Sequence, residues 1–301
     1  MIAALFPGQG SQVVGMARAF YDSSPAAKRV LDEAEAALPG LLELMFEGPE
    51  DKLTLTANQQ PALVAASAAA FAAYVEAGGE APAYVAGHSL GEFSAHVAAG
   101  SLSLSDAVQL VHKRGQYMQD AVPEGAGAMA AVMKLDAQEI EKVCQETEGV
   151  VEIANYNSPG QTVISGAAEA LRKASETLKE KRARVIPLKV SAPFHCSLMQ
   201  PAADKLAADL RAITFNEPQF KLIPNVTAQV LGDAGEILGL LESQVTASVR
   251  WTETVLKLHD LGVTKFIEFG SGKVLTGLVG RILDKPEALA VTDKESLEAA
   301  L

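Results

Sequence analysis

Short apolar runs bounded by glycine and proline alternate along this chain with longer stretches in which apolar residues recur every third or fourth position. The first run, Ile2 to Phe6, is uninterrupted and stops at Pro7-Gly8, which predicts a strand buried on both faces. It lacks a charged leader, so a first strand is expected there and not a secretion signal. Ser24-Pro25 offers a cap followed by proline at the first helical position, predicting a helix to about Leu38. Pro61 is expected to begin an alanine-rich helix in the same way, with Gln59 and Gln60 at its mouth. Leu53 to Val75 carries no charge, but Asn58-Gln59-Gln60-Pro61 interrupts it and most of the rest is alanine. That falls short of the roughly 20 strongly apolar residues of a membrane span, so a buried helix is the expectation.

The pattern shifts after Pro123-Glu124-Gly125-Ala126-Gly127. Strands are predicted over Ala128 to Met133, Val150 to Asn155, Gln161 to Ser165 and Arg184 to Val190, with helices over Asp136 to Thr147 and Ala167 to Lys181. The order βαββαβ is that of a ferredoxin-like unit. Beyond it, strands are predicted at Lys221 to Val226 and Lys265 to Phe269, and helices at Ile237 to Gln244, Trp251 to Leu261 and Val274 to Leu283. The fold expected is α/β: a large α/β-hydrolase-like domain with a parallel sheet (1-124 and 197-301), interrupted by a small ferredoxin-like domain (125-196).

Composition narrows the partners. Hydrophobic residues make up 49% and charged residues 21%, as in a globular protein, and the net charge of −12 argues against nucleic acid and anionic membranes as general partners. The densest basic cluster, Lys179, Lys181, Arg182, Arg184 and Lys189, is expected to complement a helix C-terminus. Cys144 and Cys196 lie far apart with no histidine at metal-ligand spacing, so no metal site is expected and a reducing, cytoplasmic setting fits. The chain is compatible with a monomer.

The chemistry centres on Ala86-Gly87-His88-Ser89-Leu90-Gly91-Glu92, where an apolar run leads in and a helix-forming run leads out. Gly-x-Ser-x-Gly between a strand and a helix is the signature of a nucleophile elbow, with Ser89 on the turn and the Leu90 amide facing a developing oxyanion. Pro7-Gly8-Gln9-Gly10 has Val13 where a dinucleotide fingerprint needs glycine, so Gln9 is read as the second oxyanion donor. A serine nucleophile needs a base within hydrogen-bond reach. His195 is the histidine placed on a shaped loop, in Pro193-Phe194-His195, and is preferred to His96, which falls within a helix. In Lys113-Arg114-Gly115 a glycine inside a helix points to close approach, while spacing alone favours a surface arginine.

Seven stretches taken in order resemble the signatures of the malonyl-CoA:acyl carrier protein transacylase family. They are Phe6-Pro7-Gly8-Gln9-Gly10-Ser11-Gln12, Gln60-Pro61-Ala62, Gly87 to Glu92, Lys113-Arg114-Gly115, Asn155 to Gln161, Pro193-Phe194-His195 and Val249-Arg250-Trp251. The resemblance covers essentially the whole chain. It implies ping-pong transfer of a malonyl group from malonyl-CoA, through an acyl-serine at Ser89, to the phosphopantetheine thiol of acyl carrier protein, with no cofactor of the enzyme's own. By the same resemblance Arg114 clamps the malonyl carboxylate, Gln60, Asn157 and Phe194 bind substrate, and the Gln244 carbonyl orients His195. The chain departs from the family at Ala247-Ser248 and at Ser271, where proline is usual. A serine thioesterase or esterase shares the elbow and is the competing expectation.

Overall fold

The apolar run Ile2–Phe6 forms strand β1, and its side chains divide by parity. Ile2, Ala4 and Phe6 enter one hydrophobic core, Ala3 and Leu5 another on the opposite face. This two-sided burial is what a central strand of a parallel sheet requires. The computed structural model describes residues 1–301 and contains eight further strands: β2 (Tyr84–Gly87), β3 (Gly127–Met133), β4 (Val151–Ser158), β5 (Gln161–Ala167), β6 (Arg184–Pro187), β7 (Lys221–Leu222), β8 (Lys265–Phe269) and β9 (Glu287–Val291).

Five strands form a parallel sheet in the order β7-β2-β1-β8-β9, with β1 in register from Ala3 against Tyr84 to Phe6 against Gly87. The other four make a separate antiparallel sheet, β4-β5-β3-β6, which is the strand order of a ferredoxin-like βαββαβ unit. Parity works here too: Ala130 and Val132 of β3 face a core of their own under helices Ala137–Glu146 and Ala168–Glu180, while Met129 and Ala131 join the main core. The α/β architecture expected from the sequence is the one found. Cys144 lies in the core of the second sheet.

Several elements differ from the sequence reading, β6 among them, which stops at Pro187 short of the expected Val190. Strand β7 ends at Leu222 instead of Val226, because Pro224 has no N–H to continue the ladder, and the chain turns there toward the elbow. Strand β9 and the final helix Lys294–Ala300 have no forerunner in the pattern: β9 is a half-buried edge strand in which only Val291 is fully covered. The alanine-rich helix begins at Thr56, so Pro61 lies inside it rather than at its start. Proline lacks the N–H that would bond the Ala57 carbonyl, and His112 Nδ1 donates to that oxygen instead at 2.8 Å. No helix is long and apolar enough to cross a membrane.

The helices Thr56–Glu76 and Leu104–Asp120 pack closely, and Gly115 makes this possible: a Cβ there would sit 2.6 Å from Ala57 Cα and from the Thr56 carbonyl oxygen. Both are backbone atoms and cannot step aside. Helix propensity alone would make Gly115→Ala stabilising by about 1 kcal/mol. Overpacking of this kind costs about 1–3 kcal/mol and should win, giving a net loss of stability in chemical denaturation. A variant more stable than the parent would show that the two helices are not held at this separation.

Candidate active site

Ser89 sits at the end of β2 with a φ of 52°, in the left-handed region that a side chain seldom adopts. The flanking glycines make the turn sterically possible. A Cβ on Gly87 would lie 1.9 Å from the Gly91 carbonyl, and one on Gly91 would lie 2.0 Å from the Phe6 carbonyl oxygen. Asn225 fastens the turn from outside: the Ser89 N–H donates to its Oδ1 at 2.6 Å and its Nδ2 donates to the Gly87 carbonyl at 2.6 Å. One side-chain amide thus spans the bend.

His195 also has a positive φ, 57°, in the loop before helix Gln200–Leu210. Its Nε2 is 2.7 Å from Ser89 Oγ. Its Nδ1 lies 2.9 Å from the Gln244 carbonyl oxygen and 3.2 Å from that of Ala247. Carbonyl oxygens only accept, so Nδ1 carries the ring proton and Nε2 is left as a bare acceptor toward the serine hydroxyl. Burial, reinforced by the positive charge of Arg114, lowers the imidazole to about 3 against the Gln244 and Ala247 carbonyls, which raise it. It is therefore neutral at neutral pH. No third acidic side chain is involved; two backbone carbonyls do the orienting. His96, the competing histidine, is engaged elsewhere, with Nδ1 2.8 Å from Ser101 Oγ.

The backbone N–H groups of Gln9 and Leu90 donate to no protein acceptor. Free amides beside a serine hydroxyl are what an oxyanion would need. The Gln9 side chain is fixed by a 2.7 Å bond from its Nε2 to Gln59 Oε1. A cavity of about 440 Å³ opens over Ser89 and His195, lined by Gln9, Gln59, His88, Asn155, Phe194 and Lys189 among others.

Two of the residues expected to line that cavity do not. Gln60 is turned away from it; Gln59, its neighbour one step along the helix and so about a quarter-turn round, takes its place. Asn157 is engaged with His88 Nε2 at 2.8 Å, and Asn155 is the asparagine at the cavity. Simple alternation would put both on one face, but β4 shifts register between Ile153 and Asn155 and again between Tyr156 and Ser158. His88 lines the cavity, stacks at a tilt on Trp251 and holds β4 through Asn157.

Arg114 does not line the cavity either, nor is it a surface arginine: it is 0% exposed. Its terminal nitrogens donate to Gln60 Oε1 at 2.9 Å and Gln244 Oε1 at 3.0 Å, and its Nε has no partner. The Phe93 ring covers it, with the guanidinium carbon 5.4 Å from the ring centroid. A buried cation satisfied by neutral amides alone is unusual, because burial of charge normally demands an opposite charge. Gln244 joins this cation to the serine: its Nε2 also donates to the Ser89 carbonyl at 2.9 Å. Asn225 and the side chain of Gln244 carry no sequence signal beyond a polar residue at the end of an apolar run. At Ser248, one of the two positions where proline was expected, Oγ donates to the Ile153 carbonyl, and the carbonyl of the preceding Ala247 faces His195.

Residues 4–292 match the family model of the acyl transferase domain. The malonyl CoA-acyl carrier protein transacylase of Bacillus subtilis (strain 168) is 48% identical, the alignment covering 100% of this chain and 96% of that protein. Among solved structures, an acyl carrier protein S-malonyltransferase from Vibrio cholerae superposes with a TM-score of 0.97 at 45% identity, covering 100% of this chain and 99% of the other. A malonyl-transacylase solved in complex with its type II PKS acyl-carrier protein gives 0.96 at 45% identity over 100% and 98% of the two chains. Likeness at this identity, sustained from end to end, means that the chain belongs to the acyl transferase family and, within it, to the malonyl CoA-acyl carrier protein transacylases.

Proposed function

We propose that this protein moves a malonyl group from malonyl-CoA to the phosphopantetheine thiol of acyl carrier protein, by way of an ester on Ser89. The observation that carries the reading is the 2.7 Å contact of Ser89 Oγ with a neutral His195 whose tautomer is fixed, next to a buried Arg114 that has no anionic partner in contact. The first feature supports acyl transfer and the second supports an acyl group ending in a carboxylate. A planar guanidinium pairs with a carboxylate through two parallel hydrogen bonds, a fit that lysine cannot offer.

In this mechanism His195 Nε2 removes the proton from Ser89 Oγ as the oxygen bonds to the thioester carbon. The oxyanion is held by the amides of Gln9 and Leu90. On collapse the carbon–sulfur bond breaks and the CoA thiolate takes the proton back from His195. The carrier-protein thiol then repeats the sequence in reverse order, giving its proton to His195 and leaving as the malonyl thioester, with Ser89 restored. The pairing of substrate carboxylate and Arg114 also removes part of the positive field that lowers His195, so a correct substrate makes the base stronger. Lys189 at the cavity supports this assignment by offering positive charge to the anionic CoA, a role beyond helix-dipole complementation. Phe194 would shape the wall beside the acyl chain, with Gln60 acting through its hold on Arg114.

The same reading treats residues 1-124 and 197-301 as the catalytic domain and 125-196 as an inserted domain whose β4 supplies Asn155 to the cavity wall. It calls for no cofactor of the enzyme's own, and it places the protein in the cytoplasm as part of fatty acid biosynthesis.

Intact-protein mass after brief mixing with malonyl-CoA should rise by one malonyl group, and the adduct should pass to added acyl carrier protein. Ser89→Ala should show no adduct; labelling that persists would move the nucleophile elsewhere, and free malonate without any adduct would indicate a hydrolase. His195→Ala should slow acylation by about a thousandfold or more, since nucleophile and base act as a unit. Arg114→Ala should lower malonyl transfer by about a hundredfold while acetyl transfer falls far less. Equal losses for the two acyl groups would remove the carboxylate clamp from this account.

A further inference from the structure

Glu92 is fully buried on the first turn of the helix that follows Ser89. Its Oε2 accepts from the Asn225 N–H at 2.9 Å and from Gln244 Nε2 at 2.8 Å, while its Oε1 has no partner. The other end of the same Gln244 amide, Oε1, accepts from Arg114. One neutral amide therefore stands between a carboxylate and a guanidinium. Its orientation is forced: reversed, it would set its NH2 against the cation and its oxygen against the anion. Around this pair the other titratable groups are silent near neutral pH. His195 from the loop and His96 on the same helix as Glu92 are each lowered to about 3, and His88 before the elbow is lowered too, by burial first in every case.

We propose that Glu92 is the resident counter-charge of Arg114, coupled to it through the Gln244 amide, and that a substrate carboxylate seated on Arg114 takes over this role while Glu92 accepts a proton from solvent. The inference rests on the reading of Arg114 as the carboxylate clamp. In the empty site one positive and one negative charge balance. A substrate carboxylate adds a second negative charge to the same buried cation, and two carboxylates sharing one such site cannot both stay ionised at no cost. Glu92 is the one that can give way. Burial already raises its carboxyl to about 7, opposed by its two hydrogen bonds and by Arg114. Oε1, which accepts nothing, is free to carry the proton, so both bonds to Oε2 survive the change. Glu92 is thus a positioning residue that tunes selectivity for acyl groups bearing a carboxylate.

The sign follows from the proton taken up. Below the Glu92 pKa the carboxyl is already neutral and malonyl binding needs no proton; above it each pH unit should raise the malonyl-CoA KM by up to tenfold. The expected result for the wild-type enzyme, titrated from about pH 6 to 8.5, is a rising KM for malonyl-CoA with no matching trend in kcat. Glu92→Gln keeps an oxygen for Asn225 and Gln244 but carries no charge, and its KM should be flat over the same range. A wild-type KM that does not change with pH, or a Glu92→Gln KM that keeps the wild-type slope, overturns the proposal. Should the variant fail to fold, the wild type alone decides: rapid mixing with malonyl-CoA at about pH 7.5 in weak buffer with an indicator dye should show net proton uptake approaching one per acyl-enzyme, and no uptake overturns the proposal. If the wild type forms no malonyl adduct at any pH, it is the transacylase reading that fails, which separates the two.

Discussion

Everything at this site depends on a serine held in a backbone conformation that serine avoids. The left-handed φ of Ser89 exists because Gly87 and Gly91 remove the Cβ atoms that would strike the chain, and because the Asn225 side chain bonds to both sides of the bend. Strain of this order, about 1–3 kcal/mol, persists only where the surroundings over-determine it. The surroundings here are the sheet itself. Gly87 is in register with Phe6 in β1, and the Phe6 carbonyl is what excludes a side chain at Gly91. The central strands therefore fix where the hydroxyl emerges. In exchange the elbow leaves the Leu90 amide without a partner.

The second constraint is electrostatic. Ser89 and Glu92 share one stretch while Arg114 and His195 come from two others, yet all four are bonded directly to the one residue Gln244, by its side chain or its carbonyl. The carbonyl of Gln244 sets the imidazole tautomer, and the amide separates the buried charges while it pins the serine carbonyl. Such a network is costly when half satisfied, because each lost bond leaves a polar group in a low dielectric. That gives the helix Ile237–Gln244 its importance: its last residue is the site's junction, although none of its own atoms reacts.

The parts of this arrangement that follow local rules could be read from the chain. Strands β1 and β8, the elbow and the helix cap at Ser24 follow from burial pattern and short-range stereochemistry, and they lie where the sequence places them. His195 was legible because proline shapes its loop and the other histidines sit in blander positions. What depended on side-chain direction was not. Gln59 and Gln60 are adjacent and chemically identical, and only the phase of a helix starting at Thr56 decides that one faces the cavity and the other Arg114. Two register shifts in β4 made the same kind of choice between Asn155 and Asn157. Asn225 and Glu92 act across more than a hundred residues of sequence, and no local signal marks such a partnership.

The burial of Arg114 joins the two constraints. A guanidinium at the cavity surface would keep its hydration and could offer a carboxylate only a weak pairing, since exposed ion pairs contribute about 0–1 kcal/mol. Sealed under Phe93 and tied to amide oxygens, it has already lost its water, and two of its hydrogen bonds go to neutral side chains that an anion can outcompete. On the proposed reading, selectivity would come from the directly contacting anion that Arg114 lacks when the site is empty, Glu92 reaching it only through the Gln244 amide. On the same reading, an acyl group without a terminal carboxylate would leave Arg114 as it was, whereas one that carries it would pair with the cation and weaken the positive field that lowers His195, the base that deprotonates Ser89. Recognition and catalysis would then be coupled through a single charge, and that coupling would require the amide contacts that make Arg114 anomalous in the resting protein.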